Sequence, residues 1–483
     1  MLQTLKNAWK TKEIKGKILF TLFILLLYRL GTVIPVPFVE ANNFAGSFSG
    51  TILDYMNTLS GGSLGTATLF ALGVSPYINA SIIIQLLAVV FPKLGEMAKN
   101  DKEKMNFITR IMTVGLAIVT AIGYYLLLRG SDGSSFLTKA ATPGESNMAW
   151  FYAIVIIACY VAGASIIMWL AERINERGIG NGISIILFAN IVAAVPSFCF
   201  QLVDFAVMTY SYHNYDYIKN SWIYPVLATL FAIVLVAFLI ALIAVVIWFT
   251  GSERRIPVQY AKKVVGRKMY GGQSSNLPIK LNMTGVMPII FASSIVSLLP
   301  TILALCGVSG SGTTFWDKVY NLFGTNGVIY PVLLFLLIIG FTYFYTMITF
   351  DPVEIANNLK KQGGAVPGIR QGRPTSDYIK KILNKVNLVG ALFLGVIAVL
   401  PIILSPHVIQ HFLNWVMQAS LDPSLDSLYL NYYQSIIQSN AAALTSTFTF
   451  GGTTLLIVVG VAIETFRELE AQLTMRNYKG FLG

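Results

Sequence analysis

Runs of roughly 20 apolar residues recur along almost the whole chain, and they constrain its fold more than any other feature. A helix needs about 20 such residues to cross a bilayer core about 30 Å thick. Ten candidate spans lie at residues 18–34, 69–91, 107–128, 150–170, 183–200, 222–249, 286–305, 328–350, 386–404 and 446–463. Only 12% of the 483 residues are charged, which disfavours a soluble fold. The pattern predicts one all-α membrane domain with ten transmembrane helices.

Basic residues are distributed unevenly between the two sides of such a fold. Of the 34 Lys and Arg, 29 precede the first span, lie in every second loop or belong to the C-terminal tail, 465–483. Arg29 falls inside the first span, near enough to its outer end for the side chain to reach the interface. Because Lys and Arg concentrate on the cytoplasmic side of membrane proteins, we expect both termini to be cytoplasmic.

Two of the basic loops are unusually long, at residues 250–283 and 351–385, with seven Lys or Arg in each. One interpretation is an anchor on anionic lipids. The charge exceeds what orientation requires, so a docking partner is the preferred interpretation. Such a partner would be a ribosome, whose RNA attracts Arg and Lys, or an acidic protein surface.

Motifs of enzyme chemistry are missing from the sequence. It has no GxxxxGK[ST], GxSxG or HExxH motif, and its three cysteines lack CxxC spacing, so we expect no cofactor, metal or catalytic activity. A small-solute transporter would require a polar cluster at mid-membrane, and a membrane enzyme would require carboxylates or histidines clustered at one interface. Since Arg29 is the one charged residue well within a span, both alternatives have little support.

Six motifs in order along the chain resemble the SecY family, the counterpart of the eukaryotic Sec alpha subunit. They are residues 57–64 (NTLSGGSL), 70–87 (FALGVSPYINASIIIQLL), 176–184 (ERGIGNGIS), 282–288 (NMTGVMP), 367–370 (PGIR) and 450–453 (FGGT). The resemblance covers nearly the whole chain. It implies a bacterial inner-membrane channel that passes unfolded secretory polypeptides and releases hydrophobic segments sideways into lipid.

The resemblance also implies an architecture and partners. Two inverted halves, residues 1–200 with helices one to five and residues 201–483 with helices six to ten, would surround an hourglass pore. Implied partners are SecE-type and SecG-type small membrane subunits, the SecA motor ATPase, the ribosome, signal-sequence-bearing precursors and anionic lipids.

A ring of branched aliphatic side chains is the constriction that the resemblance implies. Its members here are Val74, Ile78, Leu187, Ile191, Ile290 and Ile457. An apolar constriction can block ions by dewetting and still deform around a chain. Val74 and Leu187 stand where Ile is common in the family. Taken singly, each residue could equally face lipid or belong to the core.

Residues 51–64 resemble the plug, a short helix seated under the ring. The plug residues that the resemblance implies are Leu53, Tyr55, Met56, Leu59, Ser60, Gly61 and Gly62. The segment is too short, and too interrupted by Ser60, Gly61 and Gly62, to cross a bilayer. The alternative is an external re-entrant or surface loop.

Helices two and seven resemble the lateral gate. The implied gate residues are Asn79, Ser293, Ser294, Ser297 and Leu298, of which Leu298 replaces an aromatic residue of the family. The four polar side chains suit weak hydrogen bonds between helices, worth roughly 0.6 kcal/mol each, which a gate can break. Static contacts between helices are the alternative interpretation.

The basic loops match positions that the family uses to engage the SecA motor and the ribosome. The implied partner-binding residues are Arg254, Arg255, Lys262, Lys263, Arg267, Lys268 and Arg370. The alternative is that they bind lipid headgroups.

Overall fold

Helices dominate the computed structural model, which describes residues 2–40, 52–129, 136–138, 148–214, 223–260, 263–265, 268–270, 274–306, 308, 314–323, 327, 329–404, 411–412, 415 and 451–479. In chain order the helices are α1 Leu2–Lys10, α2 Lys12–Gly31, α3 Ile52–Leu59, α4 Ser75–Val90, α5 Pro92–Asn100, α6 Lys102–Arg129, α7 Ala149–Arg177, α8 Gly182–Asn214, α9 Ile223–Gly251, α10 Met287–Leu305, α11 Phe315–Phe323, α12 Ile329–Thr349, α13 Pro352–Lys361, α14 Arg373–Leu404 and α15 Gly451–Lys479. Each predicted span overlaps one long helix.

The number of spans is supported only in part. Seven helices among the described residues are long and apolar enough to cross a membrane, and α4 with α5 makes eight if this pair, bent by 118°, is one span. The apolar stretches of α2 and α15 fall short because charged residues lie at their ends, such as Lys15 and Lys17 in α2 and Glu464 and Arg467 in α15. The count of ten therefore stays a prediction.

The second span begins later than the sequence predicts. Residues from Ser60 to Val74 form successive turns, and α4 starts at Ser75 with Pro76 in its first turn. Gly73 adopts a φ of +57°, a left-handed conformation that a helix cannot contain and that glycine tolerates best. The turns fold this stretch inward, so that it runs from α3 to α4 through the interior.

Both chain ends meet at one end of the helical body. Lys17 Nζ in α2 donates to Gln472 Oε1 in α15 (3.1 Å), and α1 packs against α15. At the same end, Arg467 Nη2 donates to the carbonyl of Thr250, where α9 finishes (2.8 Å). The basic termini and the end of the sixth span therefore share one side, as an even number of crossings requires.

The two long basic loops, predicted from sequence to be loops and turns, together form a three-stranded sheet, and the first loop also forms a separate two-stranded sheet. The strands are β1 Glu253–Tyr260, β2 Lys263–Val265, β3 Lys268–Tyr270, β4 Ser274–Lys280 and β5 Gly364–Ala365. β1 pairs antiparallel with β4 on one side and with β5 on the other, and β2 pairs with β3. Since β5 belongs to the second loop, this sheet joins both loops into one unit.

Seven buried apolar residues hold this unit against α13 and α14. We define them as the sheet core: Ile256, Val258, Ile279, Leu359, Val366, Ile379 and Leu383. Alternate residues of β1 point to the same face, which buries Ile256 and Val258 and exposes Arg255 and Pro257. α14 begins at Arg373, well before the predicted span at residue 386, because its first turns supply Ile379 and Leu383 to this core.

Large apolar side chains cover the outer surface of several long helices. On α2, Leu22, Phe23 and Leu26 are exposed, and on α9, Ile233 is 68% and Trp248 is 74% exposed. A contiguous apolar surface of this kind is rare on monomeric proteins in water. It fits hydrocarbon instead, so the protein is a multi-pass membrane protein whose outward faces contact lipid or other membrane subunits.

We expect Ile379→Ala to loosen the sheet without disturbing the membrane helices. The residue is 1% exposed, and truncation of a buried Ile costs about 2–5 kcal/mol. Limited trypsin digestion of the purified protein should then cut the two basic loops faster than in the parent. Asn358→Ala, on the exposed surface of α13, is the matched control, and equal cleavage of the two variants would contradict the role of the sheet core.

Candidate functional site

The six predicted ring residues come together in the interior. Val74 caps α4, and Ile78 lies one turn later on the same face, as Leu187 and Ile191 do on α8. Ile290 comes from α10 and Ile457 from α15. All six are between 1% and 6% exposed, and all belong to one continuous apolar cluster that includes residues of α2, α4, α7, α8, α9, α10, α12, α14 and α15. The structure thus contains no lipid-facing member of the set.

The predicted plug segment also lies inside the helical body. Its helix, α3, packs against α8 and α10, and Leu53 is 7% exposed. Thr301 Oγ1 of α10 donates to Met56 Sδ (3.2 Å). Ser60 is buried, and its Oγ accepts from the backbone N–H of Leu64 (3.1 Å). These contacts disagree with an external loop. The side chain of Tyr55 and all of residue 51 lie outside the described residues.

A buried amide joins this segment to two long helices. Asn190 of α8 is 0% exposed, and its Nδ2 donates to the carbonyl of Leu59 (2.7 Å) and to the hydroxyl of Tyr28 (2.8 Å). Sequence reading did not single out Asn190. The available signal was an amide side chain in the middle of an apolar span, where an unpaired polar group is costly.

Arg29 does not extend to the outer interface as predicted. Its Nη2 donates to the backbone carbonyl of Ala189 in α8, and its side chain is half-buried. The expectation was wrong because the guanidinium has a hydrogen-bond acceptor inside the protein. This acceptor, the Ala189 carbonyl of the neighbouring helix α8, is closer than the membrane surface. A charged residue within a membrane helix that faces a neighbouring helix is the usual arrangement.

Two adjacent glycines of the plug segment differ in their surroundings. Gly61 (φ +70°) has no room for a side chain, because a Cβ would lie 2.9 Å from Arg29 Nη1 and 2.9 Å from Asn190 Oδ1. Gly62 (φ +88°) has nothing within 4 Å of that position. Both need a left-handed backbone, but only Gly61 is also enclosed.

The predicted gate helices α4 and α10 pack directly against each other. Of the gate residues, Ser293 and Ser297 are buried, Ser294 and Asn79 are half-buried, and Leu298 is 38% exposed. The hydroxyls of Ser293 and Ser297 do not form the predicted hydrogen bonds between helices. Ser293 Oγ donates to Ile290 O and Ser297 Oγ to Ser294 O, both 3.0 Å, because a serine hydroxyl easily reaches a carbonyl one turn back.

A different polar contact joins α4 to its neighbours. Tyr345 of α12 donates its hydroxyl to Gln85 Oε1 of α4, and Gln85 Nε2 donates to Ser81 Oγ (2.8 Å). The Tyr345 ring also packs against Phe291 of α10, with ring centroids 5.3 Å apart. The proposed gate contact therefore involves α4, α10 and α12, whereas the sequence analysis predicted a contact between α4 and α10 alone.

A cavity of about 260 Å³ with both polar and apolar walls borders two of the predicted ring residues. Ile78 and Ile290 form part of its wall, together with Ser81, Gln85 and Asn181. Asn181 stands at the start of α8, before Leu187, and the contact with the plug segment follows at Asn190. Along α8, the cavity comes first, and the contact with the plug segment lies between the predicted ring residues Leu187 and Ile191.

A larger cleft of about 1050 Å³ opens between α4, α5 and α6 on one side and α12, α13 and α14 on the other. Its wall includes Gln85 and residues of the first turns of α14, such as Arg373 and Lys380. Because Gln85 also lines the smaller cavity, the two spaces meet at the α4–α12 contact.

The structure presents the predicted partner-binding residues unequally. Arg254 and Arg255 are exposed on β1, but successive strand residues point to opposite faces, and Arg255 is paired with Glu253 (2.7 Å). Arg370 is exposed in a turn between Gly368 and Gly372, both with positive φ. Lys262 and Arg267 lie outside the described residues, and for Lys263 and Lys268 only the backbone, in β2 and β3, is described.

Positive charges crowd together where the sheet meets α15. Burial lowers the pKa of Lys280, the neighbouring Arg467 lowers it further, and Glu253 opposes both effects. Neighbouring groups of like charge destabilise each other's charged forms. An acidic partner surface would relieve this repulsion.

Together the fold and this site define a class: a polytopic helical membrane protein with a short helix folded into its interior beneath an apolar cluster. Similarity to known proteins identifies the family. The sequence model of the SecY family matches residues 68–421. The protein translocase subunit SecY of Streptomyces galbus is 37% identical over 492 residues, and that of Mycobacterium bovis is 37% identical over 496, each covering 100% of both chains. The chain belongs to the SecY family.

Solved structures agree in fold. A structure described as a protein-conducting channel aligns with a TM-score of 0.57 at 17% identity, covering 95% of this chain and 92% of that chain. Sec61 in a canine ribosome–channel complex from the endoplasmic reticulum aligns with a TM-score of 0.52 at 15% identity, with the same coverage.

We expect Gly61→Ala to displace the plug segment more than Gly62→Ala does. Both variants strain a left-handed backbone, a cost of order 1–3 kcal/mol, but Gly61→Ala also places a methyl group against Arg29 and Asn190. A cysteine at position 56, in a background without the three native cysteines, should react with a maleimide faster in the Gly61 variant. Equal rates would contradict the steric difference.

Proposed function

We propose that this chain is the central channel subunit of a Sec translocon, which passes unfolded secretory polypeptides across the bacterial cytoplasmic membrane. The observation that carries the proposal is that six branched aliphatic residues from four helices are buried in one apolar cluster, and that Asn190, between two of them on α8, bonds to an interior plug segment. An apolar constriction between two wider regions blocks ions at rest, and it can deform because its contacts lack directional bonds. The family membership supports the same activity.

A small-solute transporter needs a polar binding cluster at mid-membrane, and this position is occupied by aliphatic side chains. Tyr28, Arg29 and Asn190 are polar residues within spans, but their described bonds go to one another's helices and to the plug segment. They thus serve packing between parts of the chain.

Disulfide trapping of a secretory precursor halted during transport tests the proposal. Single cysteines at Ile78 or Ile290 replace the native cysteines, and the precursor carries one cysteine in its stalled segment. We expect crosslinks that require the stalled precursor and disappear on its release. No crosslink from a folded channel, with the precursor stalled on it, would return the transporter interpretation.

The proposed exit to lipid lies where α4 meets α10 and α12. The contact includes few polar bonds, and in a membrane such bonds average about 0.6 kcal/mol, so thermal motion or a hydrophobic signal sequence can part the helices. A segment that is more soluble in hydrocarbon than in the channel would then leave sideways.

We expect Tyr345→Phe to ease this parting, because it removes the bond to Gln85 and keeps the ring against Phe291. Loss of about 0.6 kcal/mol favours the open form roughly threefold. Transport of a precursor with a weakened signal sequence should rise by about that factor. Tyr343→Phe, which removes a hydroxyl contact with Asn384 away from α4, is the control, and the same increase in both variants would contradict the assignment.

The sheet unit is the proposed docking surface for the SecA motor or the ribosome, and both termini are proposed to be cytoplasmic with it. The pairing of β1 with β5 joins the two loops into a rigid platform. Arg254 and Arg370 are exposed on this platform, outside the membrane helices. SecE-type and SecG-type subunits are the proposed partners of the apolar outer faces of the helices. Anionic lipids are the proposed partners of the Lys and Arg residues in the two long loops.

We expect Arg370→Glu to reduce precursor transport roughly tenfold, equivalent to about 1.4 kcal/mol of lost binding, at normal channel abundance. Arg373→Glu is the matched control, since Arg373 is exposed three residues later in the first turn of α14. Transport assays with purified motor and with ribosomes distinguish the two partners. Unchanged transport for Arg370→Glu, or equal losses in both variants, would contradict a specific contact.

A further inference from the structure

We propose that Asn190 positions the plug by bonding it to α8, the helix that carries two of the six proposed ring residues, so that movement of α8 widens the ring and releases the plug together. This inference rests on the proposed function, because it needs α3 to be the plug and the aliphatic cluster to be the ring.

The bonds of the amide fix its orientation. The carbonyl oxygen of Leu59 can only accept, so the atom facing it at 2.7 Å must be Nδ2. Nδ2 also donates to the Tyr28 hydroxyl (2.8 Å), which leaves Oδ1 on the side of Arg29 and Gly61. Oδ1 is buried and has no hydrogen-bond partner among the described residues. The plug side of this contact is therefore one hydrogen bond to a main-chain carbonyl.

The position of Asn190 on α8 produces the coupling. Leu187 lies three residues before it and Ile191 directly after it, and both belong to the ring cluster. A helix moves as a unit over one turn, because its backbone bonds link residues four apart. A displacement of α8 that draws Leu187 and Ile191 apart from α4 and α10 also carries Asn190 away from Leu59.

When the plug leaves, Nδ2 of Asn190 keeps one of its two N–H groups bonded to Tyr28 on α2. The other N–H group loses Leu59 and faces the space that the plug vacates, where water can accept its hydrogen bond. The carbonyl of Leu59 moves with the plug into an aqueous space, where water replaces the amide. The contact therefore closes the resting channel and adds only one weak bond to the barrier for opening.

Maleimide modification of a cysteine at position 56 in channels without native cysteines tests this role. Asn190→Leu removes both bonds at similar volume and also leaves the Leu59 carbonyl facing an apolar side chain, so that the resting position of the plug buries an unpaired acceptor. We therefore expect modification at least tenfold faster, with raised ion flux through idle channels that retain Met56. Tyr28→Phe removes the hydroxyl but leaves the bond to Leu59, so the modification rate should stay within about threefold of the parent. If Asn190→Leu does not accumulate, Asn190→Ala replaces it.

Three outcomes would overturn the inference. One is an unchanged modification rate in the Asn190 variant at normal abundance. Another is an equal rise in Tyr28→Phe, which would make the amide a tie between α2 and α8. The third outcome concerns a stalled precursor. If it accelerates modification as much in the Asn190 variant as in the parent, the inference fails, because the bond between Asn190 and Leu59 is already absent in the variant. Failure of the precursor to crosslink at Ile78 would instead contradict the proposed function, and the comparison of the two variants would still decide the role of Asn190.

Discussion

Packing between the long helices is the contact on which the rest of the structure depends. One continuous apolar cluster draws residues from nine of the long helices, and it closes the interior of the protein. Hydrocarbon chains solvate apolar side chains as well as a neighbouring helix does, so burial alone gives little attraction between helices in a membrane. The closed form is held by close packing and a few polar bonds. A structure held in this way can part and close again at modest cost.

Two of the polar contacts across this packing border the parts that are proposed to move. Tyr345 and Gln85 join α12 to α4, and Asn190 joins α8 to α2 and to the plug segment. The first contact borders the proposed exit to lipid, and the second holds the proposed plug. Both are hydrogen bonds of neutral groups, so neither adds a buried charge to the cost of opening.

Much of the helical fold could be predicted from the sequence, because a span has a fixed minimal length and flanking charges give alternation. The sheet was missed since Pro257, Pro278 and many Lys and Arg hide the alternation of Ile256 and Val258, and since β5 comes from a loop about a hundred residues away. The six predicted ring residues are all buried in the apolar cluster, and their arrangement as a ring stays a prediction, since sequence alone could not separate them from any other aliphatic residue. The contacts of Asn190 and Gln85 were missed because partners depend on how helices rotate against one another, which no local pattern specifies.

Ion flux through purified, reconstituted channels at rest tests the central claim most directly. If the six residues seal the pore, the idle parent channel should be nearly impermeable, and Ile78→Gly with Ile290→Gly should raise the flux at least tenfold. Ile338→Gly, at a residue of α12 that is 0% exposed in the same cluster but outside the ring, is the control and should leave the flux near that of the parent. Equal flux for the ring and control variants would mean that the cluster is ordinary core, and it would contradict the account.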